Sequence, residues 1–145
     1  MRFDAVKFVN HADDHPEDPV LRVRPLDVHE LEALYALLTA HLGLERKARP
    51  EDILRSLGTL LSRVRGADAN IERFDPLAVV PAHVAKVGEE AFLTLGGPDD
   101  VWRISSADLR RYFDSVWYPG PDDLLIMDPE ACWVVGVSSG GAVSC

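Results

Sequence analysis

Residues 102–143 constrain the fold more than any other part of the chain, because they read in turn as strand, helix, strand and hairpin. All three tryptophans lie there. Ser105, followed three residues later by Asp108, is a helix-start pattern, and Leu109, Tyr112, Phe113 and Val116 fall on one helical face behind it. Trp117-Tyr118-Pro119-Gly120-Pro121 ends that helix, since proline lacks an amide proton and disfavours helical geometry in the residue before it. Residues 124–127 and 132–137 are apolar runs of strand length joined by Asp128-Pro129-Glu130-Ala131, and Ser138-Ser139-Gly140-Gly141 turns the chain into a last short strand. Just upstream, residues 92–95 and 101–104 flank Gly96-Gly97-Pro98-Asp99-Asp100, which predicts a hairpin with a five-residue loop.

The N-terminal half is less regular. Phe3, Val6, Phe8 and Val9 predict a first strand over residues 2–9, and residues 11–19, with two prolines and four carboxylates, predict a solvated loop. Residues 20–24 alternate like a half-buried strand that Pro25 ends. Asp27 and Glu30 form a capping box for a helix that buries Leu31, Leu34, Tyr35, Leu38 and Leu42 and stops at Gly43. A second helix is expected from Pro50 through Ile53, Leu57, Leu60, Leu61 and Val64 to Gly66, with Arg63 and Arg65 in its last turn. Residues 67–90 show no clean period; a short strand at 76–80 and a short helix after Pro81, weakened by Gly88, are the readings available. Helices cluster early and strands late, so the expected class is α+β: a single domain over residues 1–145, with a mostly antiparallel sheet and the helices packed on one face.

The net charge of −9 argues against nucleic acid or an anionic membrane as partner, since both are polyanions, and favours a basic protein partner. The charge is uneven. Residues 44–66 hold six cations (Arg46, Lys47, Arg49, Arg55, Arg63, Arg65) against three acids, a balance of +3 that leaves −12 on the remainder. No apolar run approaches the roughly 20 residues that span a bilayer, and charge interrupts the first seven residues, so a cytoplasmic protein is expected. Cys132 and Cys145 form no metal motif, and reduced thiols are expected of both.

Clustered carboxylates at Asp122, Asp123 and Asp128 are the residue types that Mg²⁺ or a general base would need. In an extended segment, however, Asp122 and Asp128 lie about 20 Å apart and the adjacent pair points to opposite faces. These aspartates are expected to cap turns. His11, Asp14 and His15 are the types for a transition-metal site and carry the alternative reading, a metal-dependent hydrolase or transferase using clustered Asp and His. Histidines four residues apart converge only on a helix, which Pro16 and the loop composition argue against. Ser138-Ser139-Gly140-Gly141 leads into too short a segment to be a phosphate cradle, and Cys132 has no cation or histidine near it in sequence to stabilise a thiolate. No catalytic residue and no cofactor is expected. The candidate partner-binding corner is Trp117, Tyr118, Asp122 and Asp123, an aromatic and acidic edge.

The pattern Tyr112-Phe113-x3-Trp117-Tyr118-Pro119-x2-Asp122-Asp123-Leu124-x-Ile126-x-Asp128-x4-Trp133-Val134, in the C-terminal quarter, resembles small, acidic, uncharacterised bacterial proteins, some of them similar to immunity proteins of toxin systems. The resemblance implies a binding protein that neutralises a partner by surface complementarity, with no catalytic residues to carry over.

Overall fold

The computed structural model describes residues 5–45, 47–83, 85–95, 97–120 and 122–145; Phe3 of the expected first strand, Arg46, Val84, Gly96 and Pro121 lie outside them. In chain order the elements are helix α1 (Ala5–Asp14), strand β1 (Val23–Pro25), helices α2 (Val28–Leu42) and α3 (Pro50–Leu60), and strands β2 (Arg63–Asp68), β3 (Glu90–Thr94) and β4 (Val101–Ser105). Helices α4 (Ser106–Arg111) and α5 (Phe113–Val116) and strands β5 (Leu124–Met127), β6 (Val134–Val137) and β7 (Ala142–Ser144) complete the chain. The strands form one sheet in the order β1-β4-β3-β5-β6-β7-β2, every neighbouring pair antiparallel. The α+β class is as expected.

The helices divide between the two faces of the sheet instead of sharing one. Successive strand residues point to opposite faces, and the interior strand β3 is apolar on both. Ala91 and Leu93 pack with Leu109, Tyr112, Val116 and Trp117 from α4, α5 and the turn after them. Phe92, between them, packs on the other side with Leu34, Leu38, Ile53 and Leu57 from α2 and α3. Strand β5 repeats this, with Ile126 facing the first cluster and Met127 the second. Leu34 and Leu38 are each 1% exposed, and burial of such a side chain stabilises by roughly 1.5–3 kcal/mol.

Local signals hold where the chain caps itself. Asp27 accepts the Glu30 amide at 2.8 Å while Glu30 accepts the Asp27 amide at 3.2 Å, and Gly43 closes α2 in the left-handed region at φ +65°. The β3–β4 hairpin pairs Leu93 with Trp102, and Ser105 Oγ accepts the Asp108 amide at 3.0 Å. The expected helix behind it is present but broken at Tyr112 into α4 and α5.

Three expectations fail. Residues 5–14 are a helix, not a strand followed by a loop, because the inward stripe is polar: Lys7 and His11 are buried, whereas Val6 and Val9 stand more than half exposed. The second helix stops at Leu60 rather than Gly66. Residues 63–68 instead pair with β7, Arg63 opposite Ser144 and Asp68 opposite Ala142, so Arg63 and Arg65 sit on a strand and not at a helix end. Among the described residues, 76–80 form turns rather than a strand and no helix follows Pro81; Phe74, Leu77 and Val80 nonetheless plug into the first cluster.

Candidate functional site

Helix α1 lies over the corner between α5 and β5. Lys7, His11 and His15 follow at four-residue intervals and so lie along one side of the helical path. Lys7 Nζ reaches Asp122 Oδ2 at 2.5 Å and sits 3.7 Å from the centre of the Tyr118 ring. The same carboxylate oxygen accepts the Tyr118 amide at 2.9 Å, and the Asp122 carbonyl accepts Trp117 Nε1–H at 3.0 Å. Asn10 donates to the Tyr118 hydroxyl at 3.3 Å. A cation, a carboxylate and two aromatic rings thus lock α1 to the turn, with both charged side chains removed from water.

One turn on, His11 is fully buried. Its Nδ1 lies 2.7 Å from Ser115 Oγ and its Nε2 2.9 Å from the Asp18 carbonyl oxygen. A carbonyl can only accept, so Nε2 carries the proton to it. A neutral ring then accepts the Ser115 hydroxyl at Nδ1. The Asp18 side chain takes two hydrogen bonds from Arg22, at 2.8 and 3.0 Å, and one from the Tyr112 hydroxyl at 2.6 Å. Arg22, reinforced by Tyr112, holds the Asp18 carboxyl well below the usual range, and the bond to Asp18 pushes the Tyr112 hydroxyl up. Arg22 also grips Asp108 at 2.9 and 3.0 Å, tying the segment after α1 to α4.

At the end of this seam His15 stacks near His11 with ring centres 4.9 Å apart. Its Nδ1 lies 3.4 Å from Glu17, and its Nε2 the same distance from Asp114 without hydrogen-bond geometry. Asp13, Asp14, Glu17 and Asp114 are all exposed. Beside them opens a cleft of about 450 Å³ between residues 69–74 and the α5 corner, bordered by Arg73, Arg111, Asp114, Trp117 and Tyr118. Its aromatic wall is continuous: Phe74 meets Phe113 edge-on at 5.3 Å, and Phe113 stacks on Trp117 at 5.8 Å. The opposite wall is pinned by Asn70, whose amide group donates to Asp68 and to the Gly140 carbonyl. Gly141, at φ +91°, leaves room for that amide.

The structure therefore brings together residues that the sequence kept in two separate readings. Trp117 and Asp122 are buried supports, so an incoming surface meets the partly exposed Tyr118 and the exposed Asp123, whose Oδ1 accepts the Ser139 amide at 2.7 Å. His11 sits on a helix and His15 directly follows its end, contrary to the expected loop, yet both ring nitrogens of His11 are engaged within the fold and Asp14 is exposed. Among the described residues no group of three or more His, Cys, Asp or Glu is placed to hold a metal ion. Asp128 receives the amides of Glu130 and Cys132 at 3.2 Å, the turn-capping role expected of it. Cys132 lies exposed and Cys145 half-buried, both as free thiols. Lys7 and Ser115 were missed; the one signal in the sequence is the four-residue spacing Lys7-His11-His15.

No protein-family model, curated protein or solved structure matches this chain. Among the described residues no helix is long and apolar enough to cross a membrane.

Proposed function

We propose that this chain is a non-enzymatic binding protein of the cytoplasm whose acidic surface engages a basic protein partner, in the manner of an immunity protein. The observation that carries this reading is the allocation of charge. Outside residues 44–66, Lys7, Arg22, Arg24, Arg103 and Arg110 are committed to ion pairs within the fold. Asp13, Asp14 and Glu17 are exposed on and just after α1, and Asp114 of α5 borders the aromatic cleft, which Arg73 and Arg111 also line. Two carboxylates, Asp13 and Asp14, end α1, where the helix dipole disfavours negative charge. A cationic surface approaching them would gain by that placement, and long-range attraction would speed its arrival.

Co-purification of the tagged chain from its host at low and high salt tests the reading, alongside a triple variant Asp13→Lys, Asp14→Lys, Asp114→Lys at exposed positions. A basic protein retained at low salt, released by salt and lost from the variant is expected. Retention indifferent to both salt and charge reversal would end the proposal.

A further inference from the structure

Beside its core stripe, helix α2 carries the small and apolar positions Val28, Ala36 and Ala40, which stay open to solvent. Leu34 and Leu38 face the core, but positions 28, 31, 32, 35, 36, 39 and 40 line a groove of roughly 800 Å³ against α3, whose side contributes Ala48, Pro50 and Ile53. Those α2 positions are spaced by three and four residues, one continuous stripe along the helix. The groove therefore runs most of the length of α2, about 22 Å for its 15 residues at 1.5 Å each. Ala36 and Ala40, exposed on its floor, have side chains small enough for another backbone to come close. Val28, two-thirds exposed, stands at one end.

The rim is acidic. The only charged side chains among the described residues lining the groove are Glu32 and Asp99, both exposed. The Tyr35 hydroxyl is directed away from the groove's needs, donating to the Pro98 carbonyl at 2.5 Å. Burial, with Asp99 and then Glu51, holds its proton more tightly than usual. Lys47 and Arg49 belong to the connecting loop and do not line the groove.

We infer that the α2–α3 groove is the docking site for an amphipathic, basic helix of a partner protein, about four turns long. This rests on the reading of the chain as a binder of basic proteins and names where part of the partner seats. Apolar residues of that helix at three- and four-residue spacing fill the stripe, and its lysines or arginines meet Glu32 and Asp99. A second copy of this chain fits less well, because apposed α2 helices would set these carboxylates of two −9 chains against each other.

Fluorescence anisotropy with a labelled leucine/lysine amphipathic peptide, and with its leucine/glutamate counterpart, tests the site. Saturable binding of the basic peptide is expected, weakened about tenfold or more by Ala36→Arg with Ala40→Arg, and by Glu32→Lys with Asp99→Lys should the first pair perturb folding by circular dichroism. Glu89→Lys, an exposed change outside the groove, should leave it unchanged. Equal binding by wild type and groove variants overturns the inference, as does equal binding of the acidic peptide. So does a wild-type dimer in sedimentation that Ala36→Arg dissociates, since the groove would then belong to a second copy. If the basic peptide fails to bind while a natural basic protein is still retained in a salt-dependent way, the groove is wrong and the broader reading stands.

Discussion

Lys7 and Asp122, 115 positions apart in the chain, meet at 2.5 Å with both side chains withdrawn from solvent. Breaking one side of such a pair leaves the other charge buried alone, which costs about 3–5 kcal/mol. Lys7→Met should therefore lower stability by that order in denaturant titration and speed amide exchange throughout α1. The double variant Lys7→Met with Asp122→Asn should recover part of the loss. A single variant as stable as wild type would show that the pair does not anchor α1.

The cleft wall depends on a glycine. A Cβ at position 141 would fall 2.1 Å from Asn70 Nδ2, and the backbone there is at φ +91°. Gly141→Ala should cost about 1–3 kcal/mol, combining left-handed strain with the displaced Asn70 amide. Adding Asn70→Ala removes the nearest clash but leaves Asp68 Oδ1 at 2.9 Å and the strain, so only part of the loss should return. Urea midpoints of wild type, Gly141→Ala, Asn70→Ala and the double variant separate the two contributions.

Acid should weaken the α2 side of the molecule first through Glu30. Arg24, at 2.9 and 3.1 Å, together with the Asp27 amide and then Arg103, draws its carboxyl from 4.5 down to about 2. A carboxylate held lower in the folded state than in the unfolded one stabilises fully above the unfolded value. That contribution disappears as pH falls from about 4.5 through 2. Thermal melts across this window should show a shallower decline for Glu30→Gln than for wild type; identical slopes would mean the pairing contributes nothing to acid sensitivity.

Cys132 should alkylate slowly for an exposed thiol. Burial of its sulfur, then Asp128 and Glu130, raises its pKa, so less thiolate is present near neutrality. Iodoacetamide labelling followed by mass spectrometry should give a slower rate than free cysteine at pH 8, and Asp128→Asn should quicken it.

The legible parts of the fold are those in which neighbouring residues settle their own geometry. The Asp27–Glu30 box, the Gly43 stop and the β3–β4 hairpin needed no distant partner to be read. Helix α1 did, because Lys7 and His11 find Asp122 and Ser115 over a hundred residues away, and hydrophobic periodicity has no means of ranking a buried lysine as core. Strand β2 failed for the opposite reason. Arg63, Val64 and Arg65 continued a plausible helical stripe until pairing with β7 overrode local preference. At the candidate site the Trp117 to Asp123 corner was legible as a unit. Its cover by α1 was not, so the sequence showed the surface of a site whose buried half came from a segment read as strand and loop.

The two borders of the sheet, β1 and β2, carry a consequence for how the chain behaves when crowded. Unpaired strand edges invite other chains to add on, and natural proteins blunt them with charge, proline and irregular register. β1 is three residues long, flanked by Arg22 and ended by Arg24 and Pro25. β2 slips register between Arg63 and Asp68, with Gly66 at φ +78° directly after the exposed Arg63 and Arg65. Neither border offers a straight run of free amides and carbonyls. Both borders therefore disfavour assembly by sheet extension.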